Sequence, residues 1–226
     1  MSNFKQEQLN YTKHIQTDAL LGSQIQISPH PEEMIFIIIH QVFELWFKQL
    51  IHDTGRTIDL LEKDDLAQAT WLIQRMARIL KTADMQLGIL EMLSTADFQE
   101  FRPYLESSSG LQSRQFREFE VLGGLAETAG ERYAKWAESL WPGILADHPK
   151  TLHQAVLGVI NRSGKPAIEI YKNRWDHFQL FSLYEACIEM DRSLASWRHN
   201  HIQMVKRMIG GQAQGTGGTF VEKYLE

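Results

Sequence analysis

The sequence predicts an all-α protein built as one domain, and three observations carry the prediction. Proline and glycine are scarce, 6 and 15 among 226 residues, and they gather at a few points. The stretches between them carry apolar residues at spacings of three and four, which line one face of a helix. Hydrophobic residues make up 43% of the chain, enough for a substantial core, and the length fits one domain better than two. No internal repeat or heptad series competes with this reading.

Each helix has its own signal. The first long one is predicted to start at Pro31, a residue suited to a first helical position, with Glu32 and Glu33 against the positive end of the dipole, and to run past Leu50. A second covers about Leu66 to Leu93, and a shorter one follows Asp97 until Pro103 disturbs it. Ser107 to Gly110 reads as a polar turn, after which helix resumes from Gln112 to Leu122. A compact pair of short helices fills the middle, and a last long helix opens near Pro166 and ends at Gly210. From Gly210 to Gly218 the glycine content is too high for a helix, and the segment reads as a mobile loop.

Composition excludes several classes of function. A net charge of -5, with Lys and Arg scattered along the chain, argues against a nucleic-acid partner and leaves small molecules or a second copy of the chain. One cysteine, Cys187, cannot form an internal disulfide, and Met1 to Asn10 has no apolar signal core, so a reducing cytoplasm is expected. The most apolar run, Met34 to Ile39, is closed by His40 and is far shorter than the roughly 20 residues a bilayer requires, so no membrane segment is expected.

Nine histidines invite a search for a metal site. No His-Glu-x-x-His motif occurs, and no histidine has an acidic residue three positions before it, which weakens both zinc and carboxylate di-iron readings. His199 and His201 lie about 200° apart around one helix, so at most one faces the core. Cys187 falls in an apolar helical stripe and reads as a core residue. Isolated histidines and aromatics on helices would suit a large flat cofactor held by one axial ligand, although a lone histidine on an apolar helix is more often a hydrogen-bonded core residue, and spacing alone does not decide. Phe36 and His40 share a helix face and either bracket a flat substrate or belong to an ordinary core helix. Phe98 and Arg102 share another, where the arginine either pairs with a carboxylate or sits on the surface. The loop Gly215-Thr216-Gly217-Gly218 offers backbone N–H groups and a hydroxyl, but no strand precedes it as a dinucleotide motif would need.

Taken in order, these segments resemble the tryptophan 2,3-dioxygenase family. The resemblance is carried above all by Phe-Ile-Ile-Ile-His-Gln-Val-Phe-Glu-Leu-Trp-Phe-Lys-Gln-Leu at 36–50. It continues through Phe98-Gln-Glu-Phe-Arg102, the run from Ser108 to Arg117, Trp197-Arg-His-Asn-His201 with Val205, Arg207 and Ile209-Gly210, and Gly215-Thr-Gly-Gly218. Only about Gly123 to Lys165 finds no place in it.

The resemblance implies a haem-binding helical bundle of the tryptophan/indoleamine dioxygenase type, with one haem b per subunit and O2 as co-substrate. It implies a dioxygenase that inserts O2 across the indole C2–C3 bond of L-tryptophan to give N-formylkynurenine, in tryptophan catabolism by the kynurenine pathway. His201 matches the proximal haem ligand. His40 matches the distal histidine that contacts the indole N–H, and Phe36 the aromatic residue that flanks the ring, with Phe98 beside it. Arg102 matches the arginine that grips the substrate carboxylate, Thr216 the loop threonine that contacts the amino acid backbone, and Ser109 and Gly110 the turn at the haem edge. Tyr11 matches a tyrosine that reaches into a neighbouring subunit's site, so residues 1–30 are expected to contact a neighbour in a homotetramer, while 210–226 form a mobile loop and tail.

The sequence departs from the family pattern at four places. A pair of tyrosines three apart reads Tyr11 and His14, Leu111 replaces an aromatic residue, Phe98 stands where some members have tyrosine, and the chain ends at Glu226 where a further helix usually follows. Three of these changes touch the substrate's neighbourhood. They leave open a paralogue that adds one or two oxygen atoms to a substituted tryptophan or another indole. A non-catalytic haem-binding sensor is the reading from a different class.

Overall fold

The computed structural model describes residues 10–210, and every regular element among them is helical. Two short helices, α1 (Tyr11–Ile15) and α2 (Thr17–Leu21), bury no residue. The first core helix, α3 (Glu33–Glu62), begins two residues after the predicted Pro31, because Pro31 and Glu32 are spent on a turn. Glu33 does more than complement the helix dipole. Its buried carboxylate accepts hydrogen bonds from the N–H groups of Ile27 and Ser28 at 2.9 and 2.7 Å and from Ser28 Oγ, which ties the incoming chain to the helix start.

The second core helix, α4 (Leu66–Leu90), is capped by Asp65, whose carboxylate accepts from Gln68 N–H at 3.1 Å. It stops short of Leu93 because Ser94 caps the next helix, α5 (Thr95–Phe101), by accepting from Asp97 N–H. Pro103 then tightens the chain into a 3₁₀ turn over Arg102–Leu105. A second 3₁₀ turn at Gly110–Gln112 displaces the following helix, α6 (Arg114–Gly123), from its predicted start, and Ser113 caps it. Gly124 ends it at φ 100°, in the left-handed region, where a side chain would also sit 2.5 Å from His153 Cβ.

The middle holds three helices instead of the predicted pair: α7 (Leu125–Thr128), α8 (Glu131–Leu140) and α9 (Leu152–Ser163). The predicted last helix is also divided, into α10 (Ala167–Lys172) and α11 (Phe178–Ile209). The break is a turn in which the N–H groups of Asp176 and His177 both donate to the Asn173 carbonyl, at 3.0 and 3.1 Å. It sets the Tyr171 ring edge-on to Phe181 at 5.4 Å and lets Tyr171 OH donate to Glu185, so the short helix gains a packed face by leaving the axis of the long one. The glycine-rich loop with Thr216 lies outside the described residues.

The core follows the helical period. On α3, Ile39, Phe43, Phe47, Leu50, Ile58 and Leu61 are buried, and on α4, Ala69, Ile73, Met76, Leu80, Ala83, Leu87 and Leu90. α4 lies against both α3 and α11, while α6 and α9 cover the other side of α3. Arg75 of α4 grips the fully buried Asp53 of α3 with two hydrogen bonds, at 2.8 and 2.5 Å. Asp84 of α4 accepts from Ser196 Oγ and Asn200 Nδ2 of α11 at 2.9 and 2.8 Å. Among the described residues α3 alone is apolar enough, by length and composition, to cross a bilayer, but its apolar stripe is used against α4, α6 and α9. Cys187 is half-buried against the core, and burial pushes its thiol up to about 12, in keeping with an inert packing role.

Candidate active site

Helical spacing brings the aromatic residues of α3 and α5 onto one line. Phe36 and His40 stand one turn apart on α3 with ring centres 4.2 Å apart, and Phe98 of α5 packs 5.8 Å from Phe36. Phe101 closes the group at 5.6 Å from Phe36 and 5.4 Å from Phe98. From His40 the line continues to Phe43 at 6.3 Å, then to Trp197 of α11 at 6.0 Å. Trp197 lies nearly parallel to His201, one turn on, with centres 5.1 Å apart and planes 4° from each other. Phe43 and Trp197 thus link His40 of α3 to His201 of α11, while the Phe36, Phe98 and Phe101 group packs on His40 through Phe36.

Their chemistry differs in a useful way. His40 Nδ1 is 2.7 Å from the Phe36 carbonyl oxygen. A carbonyl only accepts, so Nδ1 carries the hydrogen and Nε2 presents a lone pair. Burial lowers the His40 pKa, against smaller upward pulls from that hydrogen bond and from Glu44. His201 is pushed down to about 4, first by burial and then by the nearness of His40, which places the two imidazoles within electrostatic reach of one another. Both are neutral at pH 7. The Nδ1 of His201 and the Nε1 of Trp197 are buried without a hydrogen-bond partner among the described residues. A half-buried, uncharged imidazole stacked on Trp197, with a buried ring nitrogen unpartnered among the described residues, has the donor character that a singly ligated haem iron requires, so His201 fits that cofactor. His199, two residues earlier, is exposed.

The other predicted site residues take different positions. Arg102 is half-buried where α5 gives way to the 3₁₀ turn, one helical turn after the buried Phe98. Ser109 and Gly110 lie in the turn leading to α6, which Ser109 N–H ties down by donating to Gln112 Oε1 at 3.2 Å. Tyr11 is 75% exposed on α1. Thr216 is outside the described residues.

Several residues around this assembly were not singled out from the sequence. Phe43 and Trp197 could have been, since each stands three or four residues from a candidate histidine on the same helix. A buried ionic group beside them could not. Glu120 of α6 pairs with Arg117 on its own helix and with Arg198 of α11, and accepts from Tyr133 OH of α8 at 2.9 Å. Burial, and then the like charge of Arg117, bring Arg198 down to about 10.

Comparison with known proteins is consistent along the chain. The family model described as tryptophan 2,3-dioxygenase matches two overlapping stretches, residues 1–155 and 144–226, which include the middle that the sequence reading leaves unplaced. The tryptophan 2,3-dioxygenase of Herpetosiphon aurantiacus is 34% identical over 96% of this chain and 92% of its own length. That of Caulobacter vibrioides is 30% identical over 97% of this chain and 92% of its own, and that of Bacillus thuringiensis 30% over 100% and 88%. An all-helical fold, an aromatic assembly between two neutral histidines and full-length similarity lead to one conclusion: the chain belongs to the tryptophan 2,3-dioxygenase family.

Proposed function

We propose that this protein is a haem-dependent dioxygenase that cleaves the indole C2–C3 bond of L-tryptophan with O2 to give N-formylkynurenine. The observation that carries the proposal is the pair of half-buried histidines, His40 of α3 and His201 of α11, linked through the rings of Phe43 and Trp197. His201 is the residue that would hold haem b through its iron. When bound, such a haem supplies the activation of molecular oxygen, and both oxygen atoms end in the product.

The chain's own residues bind and aim the substrate. His40 Nε2, left as an acceptor by the Phe36 carbonyl, receives the indole N–H. Phe36 and Phe98 flank the ring, and their edge-on packing against Phe101 holds both side chains in place. Arg102 pairs with the substrate carboxylate, and Thr216 with its backbone amine and carboxylate, which selects an amino acid over plain indole. Ser109 and Gly110 border the haem edge. Fixing three points of the substrate holds the C2–C3 bond at the reacting position, and positioning of this kind supplies a large part of the rate.

The same reading includes a homotetramer in which Tyr11 completes a neighbour's site. Its support is that Tyr11 is exposed on a helix that buries nothing in its own chain. A cytoplasmic place in tryptophan catabolism, and a single domain spanning 1–226, belong to the proposal as well. Turnover under isotopically heavy O2 tests the chemistry: mass spectrometry is expected to find two labelled atoms in a ring-opened product. One labelled atom in an intact bicyclic product would replace this reading with that of a monooxygenating paralogue.

A further inference from the structure

Glu120 is 3% exposed and gathers partners from three helices: Arg117 on α6, Tyr133 on α8 and Arg198 on α11. Two guanidinium groups thus share one buried carboxylate. The Arg117 guanidinium lies over the Trp136 ring, 4.3 Å from its centre, and its Nε has no hydrogen-bond partner among the described residues. The group is not remote from the aromatic assembly. Phe116, one turn before Glu120 on α6, packs on Trp197 at 4.9 Å and lies beneath the Arg198 guanidinium at 6.0 Å. Helices α6 and α11 therefore meet at two levels, Phe116 on Trp197 and Glu120 on Arg198. On α11, those two residues lie four and three positions before His201.

We propose that Glu120 is a positioning residue for His201: its grip on Arg198 fixes the rotation of α11 against α6 and so sets the plane in which His201 presents its ring to haem. The inference rests on the reading of His201 as the haem ligand. Removing the charge of Glu120 leaves two buried like charges with no counter-ion, and they separate. Arg198, whose side chain is 28% exposed against 6% for Arg117, is the one free to move outward. The Trp197 ring stacks on the His201 ring, so a shift of that turn of α11 reaches the imidazole directly. The pairing of Asp53 with Arg75 is an equally buried carboxylate clamp that joins α3 to α4 and has no ring contact with either histidine, which makes it a control for plain stabilisation.

The test compares the haem-loaded wild type with Glu120→Gln, Tyr133→Phe and Asp53→Asn. It follows the iron–imidazole stretching band of the ferrous protein by resonance Raman and the rate of haem transfer to apomyoglobin. Glu120→Gln is expected to shift or broaden the band and to speed haem loss about 10-fold or more, the usual scale for an outer partner of a ligand. Tyr133→Phe should move the band the same way by less, and Asp53→Asn should lower the melting temperature with the band unmoved. A band unchanged in both Glu120→Gln and Tyr133→Phe overturns the proposal, and if Glu120→Gln does not fold, an unchanged Tyr133→Phe band alone does so. Absence of any iron–imidazole band in the wild type strikes the earlier reading of His201 and this inference with it, an outcome distinct from a wild-type band that no variant moves.

Discussion

At the scale of residues, recognition depends on groups that are each single and specialised. Arg102 is the one guanidinium assigned to the substrate carboxylate, and a charge-assisted pair of this kind contributes roughly 2–3 kcal/mol. Arg102→Ala should therefore retain haem and lose about 30- to 150-fold in kcat/KM for tryptophan, chiefly through KM. Steady-state kinetics with tryptophan and with indole separate this from general damage, because indole has no carboxylate to lose. An unchanged KM for tryptophan would remove Arg102 from the substrate site. Phe36 and His40 were legible in the sequence because their relation is local, one turn of one helix. The hydrogen-bonding state of His40 was not, since it follows from the 2.7 Å approach to a carbonyl that only coordinates reveal.

At the scale of elements, caps and turns decide where each helix can present its side chains. The apolar period located α3, α4 and α6 closely. It failed at ends, where Ser94 and Ser113 start new helices, and within the last segment, where Asn173 accepts two N–H groups and divides one predicted helix into two. The sequence offers such residues at many positions, and which of them ends a helix is settled by packing such as that of Tyr171 on Phe181. Gly124 gives the sharpest test at this scale. Its φ of 100° and the 2.5 Å approach of a built Cβ to His153 Cβ leave no room for a side chain at the junction of α6 and α7. Gly124→Ala should cost about 2 kcal/mol or more, read from the shift of the urea midpoint, and a midpoint within error of the wild type would contradict the placement of that turn.

At the scale of the whole molecule, the proposed tetramer would use α1, an exposed helix that buries no residue in its own chain, to complete a neighbour's site. Tyr11→Ala removes no buried contact in its own chain, so the melting temperature of the isolated subunit fold should hold while tryptophan KM rises several-fold. Sedimentation of the wild type should give an assembly of four chains of 26.1 kDa each. A monomer with full activity would contradict the shared site. The all-α architecture was legible from periodicity alone, whereas the meeting of Glu120 with Arg198 and Tyr133 depends on how distant helices cross, which no local pattern records.

Whether this chain spends O2 on the indole ring of tryptophan is read most plainly by anaerobic mixing. Haem-loaded protein is reduced without oxygen, tryptophan is added, and the sample is then exposed to O2 while absorbance and mass are followed. Tryptophan is expected to perturb the ferrous haem spectrum, and N-formylkynurenine to appear on exposure, in step with the loss of tryptophan. A haem spectrum indifferent to tryptophan, with no N-formylkynurenine after exposure, would contradict it.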